Sequence, residues 1–341
     1  MFKNLLKPTN YTSKFMHTHT KTSSGYKPYT NIKPIIFDVS LRDGLQGANP
    51  LDFPTFKKSE ILHEIHQKYT PAKLEIGSFV SPKVLPIMSD TAKLLKMVHS
   101  SVRDTTDIYA LVPNKIGLLN AILSGFTNFS FITSVSNAFQ VKNTGKPLSH
   151  KKLELTEMTQ YIKTLNPPIT PFRIAQLVNA QSAAHSSLIT APKGGVLNEK
   201  MCKTKLYISC VKECPINGMI DSDFIIHEIL SSYGLVDEYD ELCISDTMGT
   251  LKSRDFEYIV DGLIRFGVTS SRISIHLHIN KENEKEAKQI LFACFQRNIN
   301  RFDVSVISDG GCSVTMDADK LKPNMTYDFL YSTLEEYKET F

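Results

Sequence analysis

The chain has 341 residues, 41% apolar and 22% charged, enough to bury a sizeable core without disulfides. Its net charge of +4 is concentrated at one end: residues 1–33 hold six Lys and no acid or Arg, leaving 33 basic against 35 acidic residues elsewhere. That near-neutral remainder argues against a nucleic-acid partner, and no apolar run approaches the roughly 20 residues that span a bilayer, so neither nucleic acid nor membrane is expected and the protein reads as intracellular and cytoplasmic.

Residues 1–32 are polar and lack periodicity, which reads as a disordered basic arm. A transit peptide to the mitochondrial matrix is the alternative, although such peptides are Arg-rich and this arm has none. The catalytic domain is expected over 33–341. Its six Cys are scattered and read as reduced thiols. Cys210 and Cys214 have half-site spacing for zinc, but no second pair stands nearby, and two packed thiols are the plainer reading.

From residue 35, short β-rich runs alternate with longer amphipathic ones. The strand candidates are 35–39, 73–76, 108–112, 129–133, 205–208, 241–245, 273–278 and 302–306. Helices are expected at 55–69, with Phe56, Ile61, Leu62, Ile65 and Tyr69 on one side, and at 83–99 and 281–297. Eight such units imply an α/β fold, the (β/α)8 or TIM barrel, with its site at the carboxyl ends of the strands. About 70 residues separate the fourth and fifth strands, more than one helix needs, so an insertion is expected there. The chain ends about 35 residues after the eighth strand, room for one helix at 327–337 and a shortened C-terminus.

The chemistry-bearing residues fall at strand ends. Leu41-Arg42-Asp43-Gly44-Leu45-Gln46 follows the first strand, with Gly44 allowing a sharp turn. An ion pair at the end of a buried strand is costly for structure alone, so it reads as a ligand-handling site. In the seventh strand, alternation sends Ile273, Ile275, Leu277 and Ile279 towards the helices and Ser274, His276 and His278 inwards. Two imidazoles on one inward face form a natural metal chelate, and Asp43 is the best-placed acid to complete it. Glu75 ends the second strand and is placed to pair with Arg42 or move a proton. Asp246 ends the sixth, where an Asp-Thr ahead of a helix also reads as a cap. Cys312 follows Gly310-Gly311, where a thiol near a cation suits acid–base work.

Together these motifs resemble the 3-hydroxy-3-methylglutaryl-CoA lyase family, within the metal-dependent barrel lyases and synthases. The resemblance runs from about residue 33 to 332. It adds Glu75-Ile76-Gly77-Ser78-Phe79-Val80-Ser81-Pro82-Lys83, Tyr207-Ile208-Ser209-Cys210, Asp246-Thr247-Met248-Gly249 and Gly310-Gly311-Cys312 to the Arg-Asp and His-x-His motifs. It implies that Asp43, His276, His278 and Asn324 bind Mg2+ or Mn2+. Arg42 would stabilise an enolate, Glu75 would support it, Asp246 would help move the hydroxyl proton and Cys312 would be the mobile acid–base. Gln46 and Asn143 would join Arg42 on an acyl-CoA substrate, and a homodimer is a family expectation. The implied reaction cleaves a 3-hydroxy-3-methylglutaryl-CoA-like ester to acetyl-CoA and acetoacetate. A carboligase or aldolase of the same superfamily, and an inactive metal-binding barrel, remain as alternatives. The departures are Ile279-Asn280 in place of an Asp-Thr pair after His-x-His, Asp309 in place of an apolar residue before Gly310-Gly311-Cys312, and a longer loop at 313–323 that holds no Gly.

Overall fold

The computed structural model describes residues 31–165, 202–231, 239–307 and 322–341. The basic arm therefore lies almost wholly outside the described residues, as do residues 166–201 of the expected insertion, Asp309, Cys312 and most of the 313–323 loop.

Eight parallel strands close into a barrel. They are β1 (Ile35–Asp38), β2 (Lys73–Ser78), β3 (Asp107–Leu111), β4 (Asn128–Ser134), β5 (Thr204–Ser209), β8 (Glu241–Asp246), β9 (Ile273–Leu277) and β10 (Arg301–Val304). Their order around the wall is β1-β10-β9-β8-β5-β4-β3-β2, with β2 returning to β1. A two-stranded hairpin, β6 (Glu213–Cys214) and β7 (Gly218–Met219), sits between β5 and the next helix. All eight strands lie where the apolar alternation predicts them.

The helices cover the outer wall: α1 (Thr55–Tyr69), α2 (Thr91–Met97), α3 (Ser100–Thr105), α4 (Lys115–Leu123), α5 (Asn137–Thr144), α6 (Leu148–Leu165), α7 (Ser222–Ser231), α8 (Ser253–Arg265), α9 (Glu284–Gln296) and α10 (Tyr327–Thr340). In α8 the buried residues are Phe256, Ile259, Val260 and Leu263, one stripe at helical spacing. They join outward-facing strand residues such as Ile244, Ile275 and Phe302 in a single apolar core. Each fully buried side chain of this kind contributes roughly 1.5–3 kcal/mol. None of the helices among the described residues is long and apolar enough to cross a membrane.

Two helical expectations are corrected. The run 83–99 is a 3-10 turn at Pro86–Met88 followed by α2, not one helix. Pro86 has no N–H to give and a fixed φ, so it starts a turn and cannot sit inside a helix. Phe56 is 60% exposed, whereas Leu62 and Ile65 are buried. Six residues before Leu62 lies about 120° round the helix, which takes Phe56 off the core stripe.

The last helix is tied to the first strand by a buried acid. Asp38 faces outwards; it accepts hydrogen bonds from the Ser40 amide at 2.9 Å and from the Tyr327 hydroxyl at 2.8 Å. Tyr327 in turn stacks on Tyr69 at 3.8 Å. Burial pushes the Asp38 carboxyl up to about 6. A raised carboxyl favours the fold below its unfolded value of roughly 3.9, and this contribution is lost as pH rises through about 6. Asp38→Asn is therefore expected to be more stable than wild type above pH 6, by up to about 3 kcal/mol at ~1.36 kcal/mol per unit. Urea unfolding at pH 4 and pH 7.5 measures it; an unchanged difference between the two pH values contradicts it.

Candidate active site

The site begins where β1 ends. The Val39 carbonyl accepts from the amides of Arg42 at 3.2 Å, Asp43 at 2.8 Å and Gly44 at 3.1 Å, so Ser40–Gly44 winds as one wide π turn. Such turns recur at functional sites because they re-aim side chains. This one sets Arg42 and Asp43 side by side at the barrel mouth, both buried. Gly44 is required by close approach and not by a left-handed turn. A Cβ there would meet Ser305 Oγ at 2.9 Å and Ile307 Cβ at 3.0 Å.

Arg42 is held from three directions. Its Nε donates to Glu75 Oε2 on β2, and its Nη1 to Asp43 Oδ1 at 2.5 Å. Its guanidinium carbon lies 5.0 Å from the centre of the Tyr207 ring on β5. The Tyr207 hydroxyl donates to the same Glu75 oxygen at 3.2 Å. Burial would lower the Arg42 pKa, but the Glu75 and Asp43 charges outweigh it and keep the group a fixed cation. Burial likewise pushes the Asp43 carboxyl up, and Arg42 with the two imidazoles overcomes this, holding it well below the usual carboxylate range.

Opposite stand the two histidines. His276 Nε2 lies 3.1 Å from His278 Nε2 and 3.8 Å from Asp43 Oδ2. The ligand atoms of Asp43, His276 and His278 all fall within 4.8 Å of one another. The other ring nitrogens are already committed: His278 Nδ1 donates to the Lys322 carbonyl at 3.0 Å, and His276 Nδ1 faces Asp303 Oδ2 at 3.2 Å. With both Nδ1 atoms protonated, both Nε2 atoms present lone pairs to the same point. Two lone pairs aimed together repel unless a cation lies between them. Burial, and then His276 beside it, push His278 down to about 4, so its lone pair is available at neutral pH. Asn324 forms a bridge to His278 and hydrogen-bonds the Asp43 carboxylate, which sets it beside the cluster. Two imidazoles, a carboxylate and an amide suit Mg2+ or Mn2+.

The wall behind His278 is tight. Gly249 has φ +63°, and a Cβ there would meet the His278 carbonyl at 2.7 Å. Asn283 Nδ2 donates to both the Gly249 and His278 carbonyls at 2.8 Å.

Beneath the site the barrel interior is charged, which the sequence reading missed. Lys205 on β5 bonds Asp303 Oδ1 and reaches Glu241 Oε1 at 3.0 Å. Glu241 also holds Lys73, and Arg301 at 3.3 Å. Phe37 on β1 closes the layer, its ring centre 3.9 Å from Lys205 Nζ. The signal was present: Lys73 and Glu75, Lys205 and Tyr207, and Arg301 and Asp303 share the inward phase of their strands.

A cavity of about 440 Å³ opens above these residues. Arg42, Asp43, Tyr207, His276 and His278 form its polar end, and Leu111, Ile132 and Phe139 an apolar wall. Gln46 and Asn143 both line it, Asn143 beside Lys142 at the end of α5. Glu75 sits behind Arg42 as its counter-charge. Asp246 is not brought in: its two oxygens accept the amides of Thr250 at 3.1 Å and Leu251 at 3.0 Å. In register, Ser245 lies beside inward His276 and Asp246 beside outward Leu277, so alternation turns its carboxylate from the cavity. Asp246 braces the turn after β8 and does not cap α8, whose N-cap is Lys252 with no side-chain cap bond, and burial pushes the carboxyl up to about 6. Cys312 lies outside the described residues. Cys210 and Cys214 are buried and join no metal-ligand group among the described residues. Cys214 Sγ instead accepts from Ser136 Oγ at 3.0 Å.

No family model matches the chain. It is 27% identical over 289 residues to hydroxymethylglutaryl-CoA lyase YngG of Bacillus subtilis, covering 84% of this chain and 80% of that protein. It is 22% identical over 297 residues to the cytoplasmic 3-hydroxy-3-methylglutaryl-CoA lyase of Homo sapiens, covering 87% of this chain and 67% of the relative. Among solved structures, it superposes with a TM-score of 0.67 on an HMG-CoA lyase from Acinetobacter baumannii in complex with coenzyme A and 3-methylmalate. That match has 18% identity and covers 92% of this chain and 91% of the other. The closed barrel and the shared sequence make the chain a divergent relative of the hydroxymethylglutaryl-CoA lyases, which are carbon–carbon lyases.

Proposed function

We propose that the protein is a divalent-metal-dependent lyase that cleaves a 3-hydroxy-3-methylglutaryl-CoA-like ester to acetyl-CoA and acetoacetate. The observation that carries this reading is the meeting of Arg42 with Asp43, His276 and His278 at one end of one cavity. Asp43, His276 and His278 hold the cation, with Asn324 as a further ligand. Bound there, Mg2+ or Mn2+ supplies Lewis acidity to the substrate oxygens.

The chain's own residues do the rest. Transfer of the hydroxyl proton to Cys312 as its thiolate, the acid–base role the resemblance gives it, lets the C2–C3 bond break, and the bond's electron pair passes to the thioester as an enolate. Arg42, pinned by Glu75 and Tyr207, is the preorganised charge for that enolate oxygen. Protonation at carbon by the Cys312 thiol completes acetyl-CoA, a role that follows the resemblance. Leu111, Ile132 and Phe139 keep bulk water from the enolate. Gln46 and Asn143 bind the substrate along the cavity. The coenzyme A in the Acinetobacter baumannii enzyme supports an acyl-CoA ligand here.

Purified protein supplied with Mn2+ is expected to release acetoacetate and acetyl-CoA in equal amounts from 3-hydroxy-3-methylglutaryl-CoA. Bound metal with no product, together with free CoA released from acetyl-CoA plus 2-oxoacids, would reassign it as a carboligase.

A further inference from the structure

The metal-facing nitrogen of His276 is set by a group that does not touch the cavity. Asp303 has its two oxygens divided: Oδ2 faces His276 Nδ1 at 3.2 Å and Oδ1 takes the Lys205 ammonium. Both carboxylate and ammonium are buried, Lys205 to 0% exposure. Lys205 is fixed in turn by Glu241 at 3.0 Å and by the Phe37 and Tyr207 rings, whose centres lie 3.9 and 4.7 Å from Nζ. The carboxylate therefore has one oxygen anchored by Lys205, and the other faces the imidazole at 3.2 Å and also accepts from the Cys243 thiol at 3.8 Å.

An ion pair so buried is a poor device for stability. Its desolvation cost rivals its attraction, and well-packed apolar residues of similar volume commonly serve as well or better. TIM barrels ordinarily fill this layer with branched aliphatic side chains. Here the layer departs from that habit directly beneath a candidate metal ligand. A carboxylate on the far nitrogen of a ligating imidazole fixes both tautomer and ring orientation.

We infer that Asp303 and Lys205 are positioning residues for the cation: Asp303 keeps the proton of His276 on Nδ1, freeing Nε2 as ligand, and Lys205 holds Asp303 in place. The inference rests on the reading of Asp43, His276 and His278 as the cation site. It concerns metal affinity and not the identity of the substrate.

The test is Mn2+ binding, followed by the electron paramagnetic resonance signal of free Mn2+, on the full chain without substrate. Asp303→Asn lets the side-chain amide donate to Nδ1 and move the imidazole proton to Nε2. It is expected to weaken Mn2+ binding by about 10–100-fold. The paired variant Lys205→Met/Asp303→Leu removes both charges together, so no buried charge is stranded. It is expected to melt within a few degrees of wild type yet lose affinity to the same degree. A merely structural role predicts the reverse, unchanged affinity in whatever fraction folds. Paired-variant protein that binds Mn2+ as tightly as wild type overturns the positioning role alone. Wild type that binds no Mn2+ overturns the cation reading together with it.

Discussion

Arg42→Gln is expected to lower turnover by about 10²–10³-fold, the usual cost of losing one preorganised donor to a developing oxyanion, while Mn2+ binding holds or tightens. The two effects separate because Arg42 and the cation site share Asp43. The guanidinium donates to Asp43 Oδ1 at 2.5 Å, so removing it returns that oxygen to the cluster. Stability changes in the other direction. Glu75 loses its cation, and a buried charge stripped of its partner costs about 3–5 kcal/mol. Arg42→Gln/Glu75→Gln removes both charges and is expected to regain most of that stability with none of the turnover. Urea unfolding, Mn2+ binding and acetoacetate release read the three quantities separately. Turnover at the wild-type rate in the double variant would remove Arg42 from the chemistry.

His276→Ala is the second large effect. It takes one of three gathered ligands and leaves Asp303 anchored by Lys205, so the barrel floor keeps its pairing. Stoichiometric Mn2+ is expected to be lost at micromolar metal. Turnover is expected to fall by at least about 10³-fold, because Lewis-acid assistance supplies several kcal/mol of the barrier reduction and each ~1.36 kcal/mol is tenfold. Metal analysis after desalting, beside the activity assay, checks both. Retention of one Mn2+ per chain by the folded variant would place the cation elsewhere.

The barrel was legible because its signal is periodic. Apolar residues at alternate positions mark strands such as β9, and Arg42, Asp43 and His276 stand at strand ends where chemistry concentrates. The charged interior escaped because Lys and Glu inside a strand read as solvent-facing, and only closure reveals that the inward phase has no solvent. Asp246 was misplaced for a related reason. It ends a strand, as the cavity-lining candidates do, but one step out of phase with Ser245. Gly44 was seen, but its cause lies in Ser305, some 260 residues away in the chain, which local sequence cannot show. The helix expected at 83–99 failed on Pro86, where apolar spacing was allowed to outweigh a missing N–H.

The pairing across the barrel floor also governs how the chain assembles. Lys73 comes from the first half of the barrel, and its partner Glu241 is 168 residues later. Lys205 and Asp303 are separated by 98 residues. A partly built barrel would hold ammonium or carboxylate groups in a forming interior before their partners arrive. Such intermediates are penalised by uncompensated charge in addition to the entropy of closing long loops. Half-barrels of this sequence therefore carry a charge penalty that is relieved only when β8 and β10 bring Glu241 and Asp303 to Lys73 and Lys205.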